Sequence, residues 1–253
     1  MRCNIKLILN NQASLENIST KLFLQLFSLQ SENLTLKLFL SIIVLTIFNL
    51  MYWYEEEVKQ LERSHLKDRA DCGIIFYGSS TIRLWNNLNN DFSDLKVTNL
   101  GFGGSTLAAC VWFFERIMSD FKPQALVVYA GDNDLGDGRN PEEIFIFFQQ
   151  LMFKANLKFG DLPCFFVSLK PSISRWQMAD QFRYTNNLIE SEIIKLNNNW
   201  KFIDIFKRML DKSGRPNPIY YDHDGLHLSE EGYRLWKEII HDRLIKSLPL
   251  INT

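Results

Sequence analysis

The sequence predicts an α/β domain built on a parallel, doubly wound sheet, and three observations support this fold class. Short apolar runs alternate along the chain with longer stretches of helical periodicity. The runs lack polar alternation, as in ALVVYA at 125–130, which is typical of strands covered on both faces. The links are short, and no repeat or low-complexity linker interrupts 70–248, so one large domain is expected.

The composition carries no signature of a nucleic-acid partner. The chain has 253 residues and a formal net charge of −1, without a basic stripe interleaved with aromatic residues. We therefore expect no nucleic acid to bind. The cysteines show neither CxxC nor metal-ligand spacing, so nothing in the sequence demands an oxidising compartment. They are Cys3, Cys72, Cys110 and Cys164.

The first 50 residues carry few charges and include most of the apolar run LFLSIIVLTIFNLMYW at 38–53. A membrane span needs about 20 residues, which the run reaches if it extends back to Leu34 and if Lys37 snorkels to the interface. We therefore predict an N-terminal extension, 1–50, with a transmembrane helix over about 34–53 that associates with a membrane. A start at Met51 is the alternative, and it would give a cytoplasmic protein.

The main domain, 51–250, is predicted to begin with a surface helix between 51 and 69, where apolar residues recur among charges. The run IIFY at 74–77 then forms a buried strand that stops at Gly78, Ser79 and Ser80. An amphipathic segment follows at once. A serine hydroxyl therefore lies at the carboxyl end of a strand, where open α/β sheets bind ligands, although serines before helices commonly act only as caps.

Two strand–helix units follow in the middle of the chain. The second strand is predicted at 96–100 and leads through GFGGST into a helix over 107–121. The third strand ends at the polar segment GDND, 131–134. Pro141 then opens a helix over 142–157, since proline is favoured at the first helical position.

The last part of the chain supplies two more strands. The fourth is predicted at 164–169 and the fifth at 200–205, with a long helix over 175–197 between them. A polar loop leads to YYDHDGLH, 220–227. Ser229 caps a final helix that has glutamates in its first turn.

Four loops in this arrangement carry complementary polar groups. In a parallel sheet they converge on one edge, because each follows a strand at its carboxyl end or closes the chain beside that edge. They offer a hydroxyl, a glycine amide, a carboxamide, and a carboxylate three residues before an imidazole. Acyl transfer needs a nucleophile, a base, a group that orients the base, and oxyanion donors. The loops are Gly78-Ser79-Ser80, Gly103-Gly104, Gly131-Asp132-Asn133-Asp134 and Asp224-Gly225-Leu226-His227.

The blocks GSSTIRLW, NLGFGGST, GDND and DGLH, in this order, resemble the four blocks of the SGNH (GDSL-type) hydrolases. The likeness is greatest to the branch whose first block is G-S-S-x-x-R-L-W, and it covers roughly residues 52–248. The resemblance implies a flavodoxin-like three-layer α/β/α fold with a five-stranded parallel sheet. It also implies hydrolysis of ester bonds. We expect no cofactor and no metal ion.

The resemblance also implies a role for each residue that matches a block. Ser80 would be the nucleophile, His227 the base, and Asp224 the residue that orients the imidazole. The oxyanion hole would consist of the backbone N–H groups of Ser80 and Gly104 and the side-chain amide of Asn133.

The chain departs from the family pattern at Ser79, where many relatives have aspartate. Ser79 is therefore a rival nucleophile on sequence alone, although the register of the block favours Ser80. Lys170 belongs to the segment KPS at the end of the fourth strand, on the same edge. We expect Ser79, Asp132 and Lys170 to shape the substrate cleft, with a plain strand terminus as the equal alternative for Lys170.

A metal site is an alternative interpretation of the last block. Asp222, His223, Asp224 and His227 are metal-ligand types, but one cluster without partners elsewhere in the chain is weak evidence. The leading prediction is therefore a metal-independent serine ester hydrolase acting on a small-molecule, acylated-sugar or lipid ester. The alternatives are an acyltransferase with the same acyl-enzyme and a non-catalytic relative that binds an acylated or glycan ligand.

Overall fold

The computed structural model describes residues 51–64 and 72–248, and within them a single five-stranded sheet organises the chain. The strand order is β2-β1-β3-β4-β5, and every neighbouring pair is parallel. This order is the flavodoxin-like one. The predicted fold class is therefore confirmed. The strands are β1 (Ile74–Gly78), β2 (Val97–Gly101), β3 (Ala125–Tyr129), β4 (Cys164–Val167) and β5 (Trp200–Ile203).

Helices cover both faces of the sheet. The described helices are α1 (Glu55–Ser64), α2 (Ser80–Arg83), α3 (Leu88–Asp91), α4 (Leu107–Ile117), α5 (Asp132–Gly136), α6 (Pro141–Phe159), α7 (Ala179–Leu196) and α8 (Glu230–Ser247). On one face α6 packs between α4 and α7. On the other face α8 reaches the segment after β1, where Trp236 meets Trp85 edge to face at 6.3 Å between ring centroids.

Three of the five strands are apolar because neither face of the sheet meets water along them. Every residue of β1, β3 and β4 is buried, which explains why these runs show no polar alternation. Aromatic side chains fill much of the space between sheet and helices. Tyr129 of β3, for example, packs against Trp236 at 4.9 Å between centroids.

Two helix starts confirm the predicted capping signals. Pro141 occupies the first position of α6, and the Asn140 amide N donates to Glu143 Oε2 at 2.8 Å in a capping box. Ser229 Oγ accepts from Gly232 N at 3.2 Å at the start of α8.

Other boundaries differ from the predictions. Helix α4 ends at Ile117 rather than 121, and α7 begins at Ala179 after a 3₁₀ turn at Trp176–Met178 rather than at 175. The GDND segment is not a loop but starts the short helix α5. Helix ends fray into tight turns that periodicity does not mark, which explains these differences.

The prediction of a transmembrane helix is corrected by the described part of the chain: no helix in 51–64 or 72–248 is long and apolar enough to cross a membrane. A span needs about 20 predominantly apolar residues. The 19 residues of α6, for comparison, include two glutamates and two lysines. Apart from 51–53, the predicted segment at about 34–53 lies outside the described residues.

Candidate active site

The turn after β1 fixes the position of Ser80. Gly78, the last residue of β1, has φ +143°, and a Cβ there would lie 1.9 Å from Tyr129 O, so only glycine fits. The Ser79 amide donates to the same Tyr129 oxygen at 2.9 Å. Ser80 is then the first residue of α2. The chain thus turns sharply from strand to helix and leaves the Ser80 side chain partly exposed at the carboxyl edge of the sheet.

Ser80 lies in a continuous line of hydrogen bonds with His227 and Asp224. Ser80 Oγ is 3.1 Å from His227 Nε2, and His227 Nδ1 is 2.6 Å from Asp224 Oδ2. The serine and the histidine are 147 positions apart in the chain. Folding of the sheet therefore brings a hydroxyl, an imidazole and a carboxylate into the order that nucleophilic catalysis requires.

The Asp224 carboxylate is held by its own loop. Its Oδ1 accepts hydrogen bonds from the amides of Leu226 and His227 at 2.8 and 2.9 Å. Partial burial would raise the pKa of Asp224, but the Leu226 amide, the His227 side chain and the His227 amide outweigh it. The pKa falls from 3.8 to about 2. Asp224 is therefore an anion over the whole physiological range.

Ser79 has a different environment from Ser80. Its side chain is fully buried, and within the described residues its Oγ has no hydrogen-bond partner. It also makes no capping hydrogen bond to α2. The geometry therefore favours Ser80 over Ser79 as a nucleophile, because only Ser80 Oγ lies next to an imidazole.

The glycine-rich loop after β2 lies beside the Ser80 turn. Phe102 N donates to Gly78 O at 2.9 Å, which ties the two loops together. Gly104 has φ +64°, and a Cβ there would meet nothing within 4 Å. Backbone conformation rather than crowding by the protein therefore accounts for glycine at this position.

Asn133 projects from α5 onto this glycine-rich loop. Its Nδ2 donates to Ser105 O at 3.1 Å, one residue beyond Gly104. Gly131, with φ +124°, precedes α5 and makes the turn from β3. The structure thus places the carboxamide of Asn133 beside the loop that carries Gly104.

Asp132 and Lys170 form a buried ion pair beneath this edge. Lys170 Nζ lies 3.1 Å from Asp132 Oδ2 and 3.2 Å from Tyr129 Oη. Burial would raise the pKa of Asp132, but the positive charges of Lys170 and Arg175 outweigh it and hold the pKa below its usual value. Both residues, like Ser79, are almost inaccessible to solvent. This burial argues against the expectation that they line an open substrate cleft.

Three residues that make contacts at the site were not singled out by the sequence analysis. Arg175 donates to Asn133 Oδ1 at 3.1 Å and to Asp132 O at 2.8 Å. The Glu57 carboxylate accepts a hydrogen bond from Gly103 N. Asp134, named only within GDND, caps α4 by accepting from Leu107 N at 2.6 Å. No local pattern distinguishes these side chains from ordinary surface charges, so only the fold identifies them.

The alternative metal cluster is not assembled as a ligand set. His223 is exposed and lies 3.8 Å from Asp222, while Asp224 is engaged by the amides of its own loop. Over 51–64 and 72–248, no group of three or more His, Cys, Asp or Glu side chains could hold a metal ion.

Solved structures share this fold at low sequence identity. A proposed acylhydrolase from Bacteroides fragilis has a TM-score of 0.67 and 19% identity, over 76% of this chain and 97% of that one. A GDSL-like lipase from Bacteroides thetaiotaomicron has a TM-score of 0.62 and 20% identity, over 77% and 98%. A family 3 carbohydrate esterase from Clostridium thermocellum has a TM-score of 0.54 and 17% identity, over 70% and 96%.

The comparison with sequence families gives a direct match, whereas no curated protein matches the chain. The family model of the GDSL-like Lipase/Acylhydrolase family matches residues 75–235, well over half of the chain. The match runs from β1 into α8 and contains Ser80, Asn133, Asp224 and His227. The chain therefore belongs to the GDSL-like Lipase/Acylhydrolase family, in agreement with the resemblance of its four blocks to the SGNH hydrolases.

Proposed function

We propose that this protein is a serine ester hydrolase in which Ser80, His227 and Asp224 form a catalytic triad. The observation that carries the proposal is the line of two hydrogen bonds, 3.1 Å from Ser80 Oγ to His227 Nε2 and 2.6 Å from His227 Nδ1 to Asp224 Oδ2. Membership of an acylhydrolase family supports the same reaction class.

The first half of the reaction forms an acyl-enzyme. Ser80 Oγ attacks the ester carbonyl carbon while His227 Nε2 takes the hydroxyl proton. The tetrahedral intermediate then collapses, the bond to the leaving alkoxide breaks, and His227 returns the proton to that alkoxide. Water attacks the acyl-enzyme in the second half, with His227 again as base, which releases the acid and regenerates Ser80.

Asp224 sets the tautomer of the imidazole. Its ionised carboxylate accepts a hydrogen bond from Nδ1–H, which leaves Nε2 to accept the Ser80 proton. Because the pKa of Asp224 is about 2, the carboxylate stays charged and stabilises the imidazolium that forms.

The negative charge on the former carbonyl oxygen needs hydrogen-bond donors. We assign this role to the backbone N–H groups of Ser80 and Gly104 and to Asn133 Nδ2. The hydrogen bonds from Phe102 to Gly78 and from Asn133 to Ser105 support the assignment, because they hold the three donor segments together. Loss of one such donor typically lowers the rate ~10²–10³-fold.

A small or exposed ester is the substrate class that fits best. The side chains of Ser79, Asp132 and Lys170 are buried, so none of the three lines an open channel for a long acyl chain. The fold neighbour from Clostridium thermocellum is a carbohydrate esterase, which supports an acyl group carried on a sugar as one form of that ester.

The test is hydrolysis of p-nitrophenyl acetate by the full-length chain, in the presence of EDTA, beside matched serine variants. We expect Ser80→Ala to lower kcat/KM at least about 10³-fold, because removing a triad nucleophile leaves only residual catalysis. Ser79→Ala should stay within about twofold of the parent, since it deletes a buried hydroxyl without a hydrogen-bond partner.

Other outcomes would contradict the proposal. Activity that survives Ser80→Ala but is lost in EDTA would favour a metal mechanism over the triad. Activity lost in Ser79→Ala alone would reassign the nucleophile. A folded protein without hydrolysis, but with acyl transfer to an added alcohol or with ligand binding alone, would favour an acyltransferase or a binding protein.

A further inference from the structure

Building on the proposed function above, we propose that Arg175 is a positioning residue of the oxyanion hole. It fixes the orientation of the Asn133 carboxamide, so that the amide nitrogen rather than the amide oxygen faces the reacting carbonyl. Arg175 lies in the loop between β4 and α7 and reaches α5 through its guanidinium.

The chemistry of the guanidinium determines which end of the carboxamide it contacts. Arginine has only N–H donors, so Arg175 Nη2, at 3.1 Å, can pair with Asn133 Oδ1 but not with the NH₂ group. The NH₂ group therefore points away from the guanidinium. An unrestrained asparagine could rotate by half a turn and present its oxygen to the substrate, which would repel an oxyanion.

The remaining contacts of Asn133 agree with a donor role. Nδ2 carries two hydrogens, and one of them is donated to Ser105 O at 3.1 Å. The second hydrogen is the one that we assign to the oxyanion. With Oδ1 bound by Arg175 and one hydrogen bound by Ser105, the amide plane is fixed at both ends before substrate arrives, as electrostatic preorganisation requires.

The guanidinium itself is held rigidly. A second nitrogen, Nη1, donates to Asp132 O at 2.8 Å, so Arg175 spans two adjacent residues of α5. Its side chain is only 19% exposed, and Nη1 lies 3.7 Å from Asp132 Oδ2. The charge of Arg175 also polarises the amide to which it binds, and that strengthens the N–H donors at the other end.

Gly136 supplies an independent indication that the Arg175 guanidinium packs tightly against α5. A Cβ at Gly136 would lie 2.8 Å from the Cζ and from Nη2 of Arg175. Glycine in the last position of α5 therefore leaves the space into which the guanidinium fits. The obstacle is the far end of a flexible side chain, so an alanine there would displace the guanidinium rather than the backbone.

The first experiment compares Arg175→Met and Arg175→Lys with the parent enzyme on p-nitrophenyl acetate. We expect Arg175→Met to lower kcat about 10–10²-fold and to leave KM within about twofold of the parent. This fall in kcat should not exceed the one that follows the loss of a whole oxyanion donor. Arg175→Lys should be intermediate, since an ammonium cannot form the same planar fork. Arg208→Met is the control for charge removal, because Arg208 pairs with Glu238 at the surface.

A double-mutant cycle separates positioning from general structural support. If Arg175 acts through Asn133, Arg175→Met should lower kcat little or not at all in the Asn133→Ala background. If Arg175 had only a structural role, Arg175→Met would lower kcat by the same factor in the parent and in the Asn133→Ala background. Equal losses, or no loss from Arg175→Met in the parent, would overturn the proposal.

Gly136→Ala keeps the arginine and tests its placement without removing a charge. We expect kcat to fall severalfold while the melting temperature stays unchanged or rises, because alanine favours the helix. Parental kcat in folded Gly136→Ala would count against the proposal. Absence of hydrolysis by the parent protein, by contrast, would refute the proposed function itself. The rate of Ser80→Ala gives the background against which hydrolysis by the parent is judged, so failure of the proposed function can be told apart from failure of the role proposed for Arg175.

Discussion

At the residue scale, the carboxylate and the imidazole of the site are arranged by one short loop. Asp224 and His227 are three positions apart, and the carboxylate accepts from the imidazole and from two amides of the same turn. Their pairing is therefore a local property of the sequence DGLH. Their distance to Ser80 is not local, because it depends on the packing of α8 and the loop before it against the sheet.

The depressed pKa of Asp224 predicts how stability depends on pH. The folded pKa, about 2, lies below the ordinary 3.8, so the ionised carboxylate stabilises the folded state. This contribution is fully present above about pH 4 and is lost as pH falls through about 2. The difference in free energy of unfolding between the parent and Asp224→Asn should therefore shrink as pH is lowered from 5 to 2, measured by urea denaturation.

Asp222→Asn is the matched control for this measurement, since Asp222 lies in the same loop and its carboxylate is 3.8 Å from the exposed His223 rather than bound to the loop amides that hold Asp224. Its difference from the parent should change much less over that range. The assignment of an ionised, hydrogen-bonded carboxylate would be contradicted if the parent and Asp224→Asn differed in free energy of unfolding by the same amount from pH 5 to pH 2.

At the element scale, α1 contributes to the site although it precedes the part of the chain that matches the family, 75–235. The Glu57 carboxylate accepts from Gly103 N and lies 3.7 Å from Arg83 Nε. A Cβ at Gly103 would come within 2.6 Å of Glu57 Oε1, so glycine permits this contact. The helix thus anchors the loop that carries Gly104.

We predict that Glu57→Ala lowers kcat roughly tenfold, because a hydrogen bond to a charged group is worth about 1.5–3 kcal/mol and the loop loses that restraint. Glu57→Gln should retain most of the rate, since its carbonyl oxygen still accepts from Gly103. Glu56→Ala is the control, because Glu56 pairs with Lys59 on the exposed side of α1. Equal rates for Glu57→Ala and Glu56→Ala in a steady-state assay would show that α1 does not support the site.

At the scale of the whole molecule, one continuous core supports the edge on which the site is built. Cys110 of α4 packs under β1, where Tyr77 Oη donates to Cys110 O at 2.7 Å, and its Sγ lies 3.8 Å from Ser105 Oγ. Cys164 begins β4, two strands away from β1 in the sheet. Burial raises the pKa of both thiols, so neither forms the reactive thiolate while the protein is folded.

These two thiols should therefore report on unfolding of the core. Site-resolved mass spectrometry after iodoacetamide treatment is expected to show Cys110 and Cys164 labelled at least about 10²-fold more slowly in the native protein than in urea. The urea-unfolded chain is the internal control for intrinsic reactivity. Labelling of Cys110 at the same rate with and without urea would mean that α4 does not pack on the sheet as described.

The sequence predicted the fold well where a pattern follows from burial. Strands covered on both faces must be apolar, which identifies β1, β3 and β4, and the caps at Pro141 and Ser229 follow from backbone groups that need partners. Helix ends at 117 and 179 were missed because the tight turns beside them have no periodicity of their own. The transmembrane prediction was wrong for the described residues, in which no helix is long and apolar enough to cross a membrane.

The sequence by itself determined the sheet, the order of the loops at its edge and the residue types that they carry, because strand burial and turn chemistry are local constraints. It also identified Ser80, Asn133, Asp224 and His227 as candidates, whose roles stay predictions. Only the tertiary structure decided that Ser79 is buried and without a hydrogen-bond partner, and that Arg175 and Glu57 brace the proposed oxyanion donors. Such contacts join residues far apart in the chain, and their side chains look like ordinary surface charges until packing brings them together.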